Sequence, residues 1–403
     1  MTFRTVLFWT HLVAGLLAGL VIGIMCFTGT VLAFEQEIVA WAERDARRVT
    51  APAPDAARLP LAGLQHNVRA AQPDFRPTSL TLERDPAAAV TFTAGRSVHL
   101  YANPYTGEAR RPASATVRDF MASMTSWHRY LALTGDQRPL GKLINGIGNL
   151  AFAFLALSGL YIWLPRTWSW RGVKAIALFN FNSTGKARDF NWHNVIGLWC
   201  APILIGLTLT AVPISFRWGG NLIYQLAGEP VPPAGGAPSP REASAASAPG
   251  FTRPSPDASP LKLDALVTRV QQKFPQWTQI SLRLNGAQRT DATAPVENLK
   301  SKIENPITVT IRQAGSWPRT ATTTLTLHPS TGEILTQAGH DDLSPARQIR
   351  SWTRFLHTGQ ALGWWGQLIA GLACLGGCFL VWTGFALSWR RFFMKKPPAA
   401  AVG

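Results

Sequence analysis

Four long apolar runs dominate this chain and leave few architectures open to it. They cover Val6–Phe34, Leu143–Leu164, Asn194–Phe216 and Leu362–Trp389. A hydrocarbon layer about 30 Å thick is crossed by roughly 20 helical residues, so each run is long enough to span a bilayer. Only 15% of the 403 residues are charged, against 47% apolar, which fits membrane spans better than one large soluble core. The sixteen tryptophans agree, because indole collects at membrane interfaces.

Charge sets the expected orientation. The loop between the second and third runs carries Arg166, Arg171, Lys174, Lys186 and Arg188 against one acid, Asp189, and the tail carries Arg390, Arg391, Lys395 and Lys396. Basic loops stay in the cytoplasm, so both chain ends are expected inside. The long segments 37–140 and 219–355 then face the other side, the periplasm of a bacterium. The net charge of +17 reflects this bias, not a nucleic-acid partner, because the strongest basic clusters flank the apolar runs. The first run is too long for a signal-peptide core and is read as a retained span.

The four cysteines, Cys26, Cys200, Cys374 and Cys378, all lie inside expected spans, and Cys374-x3-Cys378 reads as helix packing. No Cys-x-x-Cys-His occurs, which excludes covalent c-type haem.

The expected division is 1–36, first span; 37–125, first soluble domain; 126–165, pre-helix and second span; 166–191, cytoplasmic loop; 192–218, third span. It continues with 219–260, flexible linker; 261–349, second soluble domain; 350–391, pre-helix and fourth span; 392–403, cytoplasmic tail. Each soluble domain shows a helical pattern and then strands. The first has Leu61–Ala71 followed by Thr78–Leu82, Ala88–Phe92 and Val98–Ala102. The second has Leu263–Lys273 followed by strands near Gln279–Leu284, Ile307–Ile311 and Thr322–Leu327. Gly228–Pro260 is rich in Pro, Ala, Ser and Gly and reads as linker.

Internal recurrence ties these parts together. Asn103-Pro104-Tyr105-Thr106-Gly107-Glu108 returns as His328-Pro329-Ser330-Thr331-Gly332-Glu333, and Trp127-x-Arg129 returns as Trp352-x-Arg354. The first and third spans share His11…Gly15 and His193…Gly197, each followed by a threonine, Thr28 and Thr210, seventeen residues after the histidine. The second and fourth share Ser158-Gly159 and Thr383-Gly384. These matches predict a four-helix transmembrane bundle built from two parallel repeats, with two small α+β periplasmic domains.

Four of the eight histidines fall at or just before span ends. His11 and His193 open outward spans and lie near the inner face. His128 and His357 precede inward spans and lie near the outer face. Aligned on Trp-x-Arg, His357 comes one helical turn later than His128. Two imidazoles on opposing helices are what a six-coordinate b-type haem needs. The residue four positions on is small in each case, Gly15, Ala132, Gly197 and Ala361, which leaves room for a porphyrin. Two b-type haems are therefore expected, with the four histidines as iron ligands and no catalytic nucleophile. Arg129, Lys142, Arg350 and Arg354 near the outer pair, and Arg4, Lys186 and Arg188 near the inner pair, are partners for propionates or equally for lipid headgroups. Gly19 and Gly23 read as helix packing.

Elsewhere, His340-Asp341-Asp342 is a metal or substrate contact or a solvated turn. Trp277, Trp317, Arg312 and Arg319 are substrate contacts or packed surface.

Pro-x-Thr-Gly-Glu after each set of strands, Trp127-His128-Arg129, Asp189-x-x-Trp192-His193-x-x-x-Gly197 and Leu356-His357-Thr358-Gly359 together resemble the PepSY-associated transmembrane family across nearly the whole chain. Within it, the chain is similar to inner-membrane di-haem siderophore reductases. The resemblance maps the haem ligands onto His11, His128, His193 and His357 and makes the soluble domains PepSY-like. It implies transmembrane electron transfer to a ferric siderophore held between those domains. No dinucleotide-binding Gly-x-Gly-x-x-Gly or Walker A loop is present, so the electron donor is a separate cytoplasmic reductase, a reduced flavin or quinol. Two other readings remain: a di-haem quinol or superoxide oxidoreductase, and a haem-free sensor or regulator that binds a periplasmic protein.

Overall fold

The computed structural model describes residues 2–53, 55–95, 98–164, 169–233, 263–284 and 307–394. In chain order its helices are α1 (Phe3–Leu32), α2 (Glu35–Ala42), α3 (Arg44–Arg47), α4 (Leu61–Ala71), α5 (Thr116–Tyr130), α6 (Arg138–Trp163), α7 (Trp170–Ala177), α8 (Gly185–Ser215), α9 (Arg217–Leu226), α10 (Leu263–Lys273), α11 (Pro345–His357) and α12 (Gly363–Phe392). The strands are β1 (Ser79–Glu83), β2 (Val90–Ala94), β3 (Val98–Ala102), β4 (Ala109–Arg110), β5 (Trp277–Arg283), β6 (Ile307–Gln313), β7 (Thr323–Leu327) and β8 (Ile334–Ala338). The chain divides into two compact units.

The first unit comprises Met1–Glu35, Arg118–Val231 and Ile349–Gly403. Four of its helical segments, built on α1, α6, α8 and α12, are long and apolar enough to cross a membrane. α1 and α8 each pack against both α6 and α12. Leu17 and Leu20 of α1 are 81% and 72% exposed, as expected of side chains whose solvent is hydrocarbon. Glycines let the helices close inside. A Cβ on Gly19 would stand 2.7 Å from Phe385 Cζ, and one on Gly148 would stand 2.7 Å from Val21 Cγ1. Buried amides pin the pairs: Asn149 Nδ2 donates to the Thr208 carbonyl at 3.0 Å and Gln367 Nε2 to the Ala33 carbonyl at 3.0 Å. Pro202 and Pro213 sit inside α8, which membrane helices tolerate.

The second unit comprises Gln36–Val117 and Pro232–Gln348. Its strands form one eight-stranded antiparallel sheet in the order β4-β3-β2-β1-β5-β6-β7-β8. This corrects the expectation of two separate soluble domains. β1 pairs with β5 through Ser79↔Arg283, Thr81↔Ser281 and Glu83↔Gln279, so the halves share one sheet and one core. Alternation puts Leu80, Phe92, Leu100, Ile280, Val309 and Leu325 on one face, against Leu64 and Val68 of α4 and Leu266 and Val270 of α10. The opposite face carries a row of hydroxyls in register, Thr91, Thr81, Ser281, Thr310 and Thr324.

The recurring turn motif closes two turns in the same way. Asn103 Oδ1 accepts from the Tyr105 and Thr106 amides at 2.9 and 3.3 Å, and His328 Nδ1 accepts from the Ser330 and Thr331 amides at 3.2 Å each. His340-Asp341-Asp342 is likewise a turn, with Asp342 Oδ2 accepting from the Gly339 amide at 2.7 Å. Trp277 lies on β5 against the core, and Arg312 stands opposite Gln279 on the neighbouring strand. Most of the expected linker Gly228–Pro260, and Arg166, Lys395 and Lys396, lie outside the described residues. α9 occupies 219–226 of the expected linker division 219–260.

Candidate functional site

Two histidine pairs lie in the first unit, each joining the two halves of the chain. His11 of α1 and His193 of α8 line one cavity of about 470 Å³ formed among α1, α6, α8 and α12. Gly15 and Gly197, each one turn after its histidine, also line it, as do Gly159 and Gly384. A Cβ on Gly159 would come within 3.3 Å of His11 Cε1, and one on Gly384 within 3.7 Å of His193 Cε1. The residue before each of these glycines holds the ring. Ser158 Oγ lies 2.8 Å from His11 Nδ1, and Thr383 Oγ1 lies 2.8 Å from His193 Nδ1. The recurring Ser/Thr-Gly dipeptide thus supplies a hydroxyl and clearance at one spot.

The second pair is His128, near the end of α5, and His357, the last residue of α11. Their ring centroids are 6.2 Å apart and their planes 47° apart. Metal–imidazole bonds of about 2 Å on opposite sides of one ion place ring centres roughly 6 Å apart. Thr28 Oγ1 stands 2.9 Å from His128 Nδ1, and His357 Nδ1 meets the Leu207 carbonyl at 3.0 Å. Burial, and then the neighbouring His357, push the His128 imidazole down to about 4. Burial also lowers His357. Both rings are therefore neutral near pH 7, the form that ligates metals.

The supporting groups fix the tautomers. A carbonyl only accepts, so His357 must donate from Nδ1 to Leu207. Thr28 donates its own proton to the Ile24 carbonyl at 2.6 Å, and Thr383 donates to the Phe379 carbonyl at 2.7 Å. Their oxygens are thereby left to accept from His128 and His193. Ser158 reaches the Leu155 carbonyl at 3.4 Å in the same sense. With the proton on Nδ1, Nε2 carries the lone pair on each ring.

This donor set suits a macrocycle that brings its own four nitrogens. Among the described residues no group of three or more His, Cys, Asp or Glu could hold a bare metal ion, whereas zinc normally takes four ligands. The His11/His193 cavity also carries groups for carboxylates. Lys186 and Arg391 line it, and Trp163, which lines it too, has a buried indole N–H with no hydrogen-bond partner among the described residues. Arg391 and Trp163 were not expected as site residues; the signal for Arg391 was only its place in a basic tail.

The other expected residues are placed differently. Arg4 donates to the Ile162 and Leu164 carbonyls and so caps α6. Arg188 pairs with Asp189 at 2.9 Å, and Arg390 reaches the same carboxylate at 3.2 Å. Arg129 lies 5.2 Å over the Tyr130 ring and is exposed, as are Lys142, Arg350 and Arg354. Ala132 and Ala361 do not sit one turn further along the ligand's own helix. α5 ends at Tyr130 and Ala132 follows with φ +57°, while α11 ends at His357 and Ala361 lies in a separate 3-10 turn.

A family model described as PepSY-associated TM region matches residues 8–391. No curated protein matches the chain.

Proposed function

Because this chain belongs to the PepSY-associated TM family, we propose that it is a di-haem oxidoreductase of the bacterial inner membrane, built of two parallel repeats with PepSY-like halves in its soluble unit. In this reading it passes electrons across the bilayer to release iron from a ferric siderophore in the periplasm. The observation that carries the proposal is the pairing of four histidines, two and two, each ring supported at Nδ1.

His11 and His193 would hold one haem near the cytoplasmic face, and His128 and His357 would hold the second near the periplasmic face. A haem held by a pair of imidazoles would supply a one-electron couple. The chain itself contributes the surroundings. The glycine-lined, largely apolar cavity keeps water from the His11/His193 pair, while Lys186, Arg391 and the Trp163 N–H receive carboxylates. Lys186, Arg188, Arg390 and Arg391, gathered at the His11/His193 end, support placing that end in the cytoplasm. The continuous sheet moves the expected substrate position. Among the described residues the strands of both halves form one sheet, so the second unit offers a chelate a surface and not a cleft between domains.

The test is an absorbance spectrum of the purified full chain, fully reduced minus oxidised. Two haems per chain with sharp α and Soret bands are expected, and His193→Ala and His11→Ala should each remove the same haem while leaving the other. Reduced protein should reoxidise anaerobically when a ferric hydroxamate is added. A colourless preparation of well-folded protein overturns the proposal.

A further inference from the structure

The two histidine pairs differ in what stands behind the rings. Hydroxyls support three of the four: Ser158 behind His11, Thr383 behind His193 and Thr28 behind His128, at 2.8, 2.8 and 2.9 Å. His357 meets a main-chain carbonyl, Leu207, at 3.0 Å, while His128 and His193 meet the Met25 and Leu380 carbonyls as well as their hydroxyls. The difference follows from a displaced ligand. Aligning Trp127 with Trp352 sets Thr353 opposite His128, and aligning His11 with His193 sets Thr210 opposite Thr28 and Leu207 opposite Met25. The second half places its imidazole four residues after Thr353, one helical turn on, where it keeps the carbonyl but not the hydroxyl. Thr210, left without a ring to hold, donates to the Gly206 and Leu207 carbonyls at 2.7 and 3.0 Å.

An acceptor behind Nδ1–H draws density onto the imidazole and makes Nε2 a better donor to iron. A stronger donor favours ferric over ferrous and lowers the reduction potential. We propose that Ser158, Thr383 and Thr28 are positioning residues that fix the tautomer and rotation of His11, His193 and His128 and tune each haem separately, whereas His357 is set by the main chain. The inference rests on the haem reading of the pairs. It makes the two haems inequivalent: both ligands of one lean on hydroxyl side chains, and one ligand of the other leans on backbone alone.

Redox potentiometry followed at the α band, on full-length protein, tests this. Wild type should show two one-electron waves. Thr383→Val removes the hydroxyl acceptor behind His193 Nδ1–H, leaving the Leu380 carbonyl, and should move one wave to higher potential by up to about tenfold in the ferric-to-ferrous ratio, about 59 mV, with the other unmoved. Thr28→Val should move the other wave, and Thr383→Ser should behave as wild type. Loss of one haem in Thr383→Val with its return in Thr383→Ser supports the assignment equally. Unmoved waves, both waves moving together, or Thr383→Ser matching Thr383→Val would overturn it while leaving the haem reading intact. A wild-type protein without an α band removes the haem reading itself.

Discussion

His128 and His357 stand with ring centroids 6.2 Å apart, and each takes its support from its own half of the chain, Thr28 of α1 and Leu207 of α8. The same division holds for His11 with Ser158 and His193 with Thr383. Pairing crosses the halves and support stays within them. Each half therefore orients its own rings, and docking of the halves decides only how the rings meet.

The His128 and His357 imidazoles both titrate below the ordinary range, His128 at about 4. The unfolded chain, with histidines near 6.5, takes up protons that the folded chain refuses. Ligand-free protein should lose stability as pH falls from about 6.5 towards 4, and not on the alkaline side. Thermal unfolding in detergent at pH 7.5 and 5 measures this. A His128→Gln/His357→Gln double variant should show a flatter profile, and an unchanged one would count against the burial of these rings.

Asp189 is 1% exposed and holds Arg188 of its own helix and Arg390 of α12. Asp189→Asn leaves both cations without a carboxylate. The guanidinium groups are 39% and 29% exposed, so the cost should fall below that of a fully buried pair, about 2 kcal/mol. A lowered thermal midpoint is expected, with the greater gain in hydrogen exchange where α8 starts and α12 ends.

His328 performs the task of Asn103 in the other half, accepting two amides across a turn. His328→Asn should be close to neutral. His328→Ala should cost about 1 kcal/mol through two amides left without an acceptor. Hydrogen exchange at Ser330 and Thr331 separates the two variants, and equal protection in both would count against the capping role.

Leu131 and Ala132 follow α5 with φ of +51° and +57°, a region that L residues occupy at a cost of about 1–2 kcal/mol. The other half puts Gly359 at φ +71° in the corresponding stretch. Ala132→Gly should raise the thermal midpoint, by about 1 kcal/mol in stability, without altering the His128 pair. A fall in midpoint would show that the Ala132 methyl packs more than its backbone strains.

Much of this architecture was legible in the residues. Leu61–Ala71 and Leu263–Lys273 form where periodicity puts them, because each buries one clear apolar face, and Val98–Ala102 forms as a strand with Leu100, Tyr101 and Ala102 all buried. β4 has only two residues and β8 reads Ile-Leu-Thr-Gln-Ala without alternation, so neither announces itself. α9 hides behind the third span, separated from α8 by Phe216 alone. The β1–β5 seam could not be read, since neither half's pattern says which edge it will meet. Ser158 and Thr383 were visible as a recurrence but not as supports. The Leu207 carbonyl has no side-chain signal at all.

The seam also protects both halves. β1 and β5 hold the same place in their halves and pair antiparallel about Thr81 and Ser281, as equivalent strands do across the axis of a twofold homodimer. Either half alone would end in an open edge, and a second copy of itself is the partner that closes it. Joined in one chain, the two edges cap each other, and neither β1 nor β5 is left to pair with another molecule.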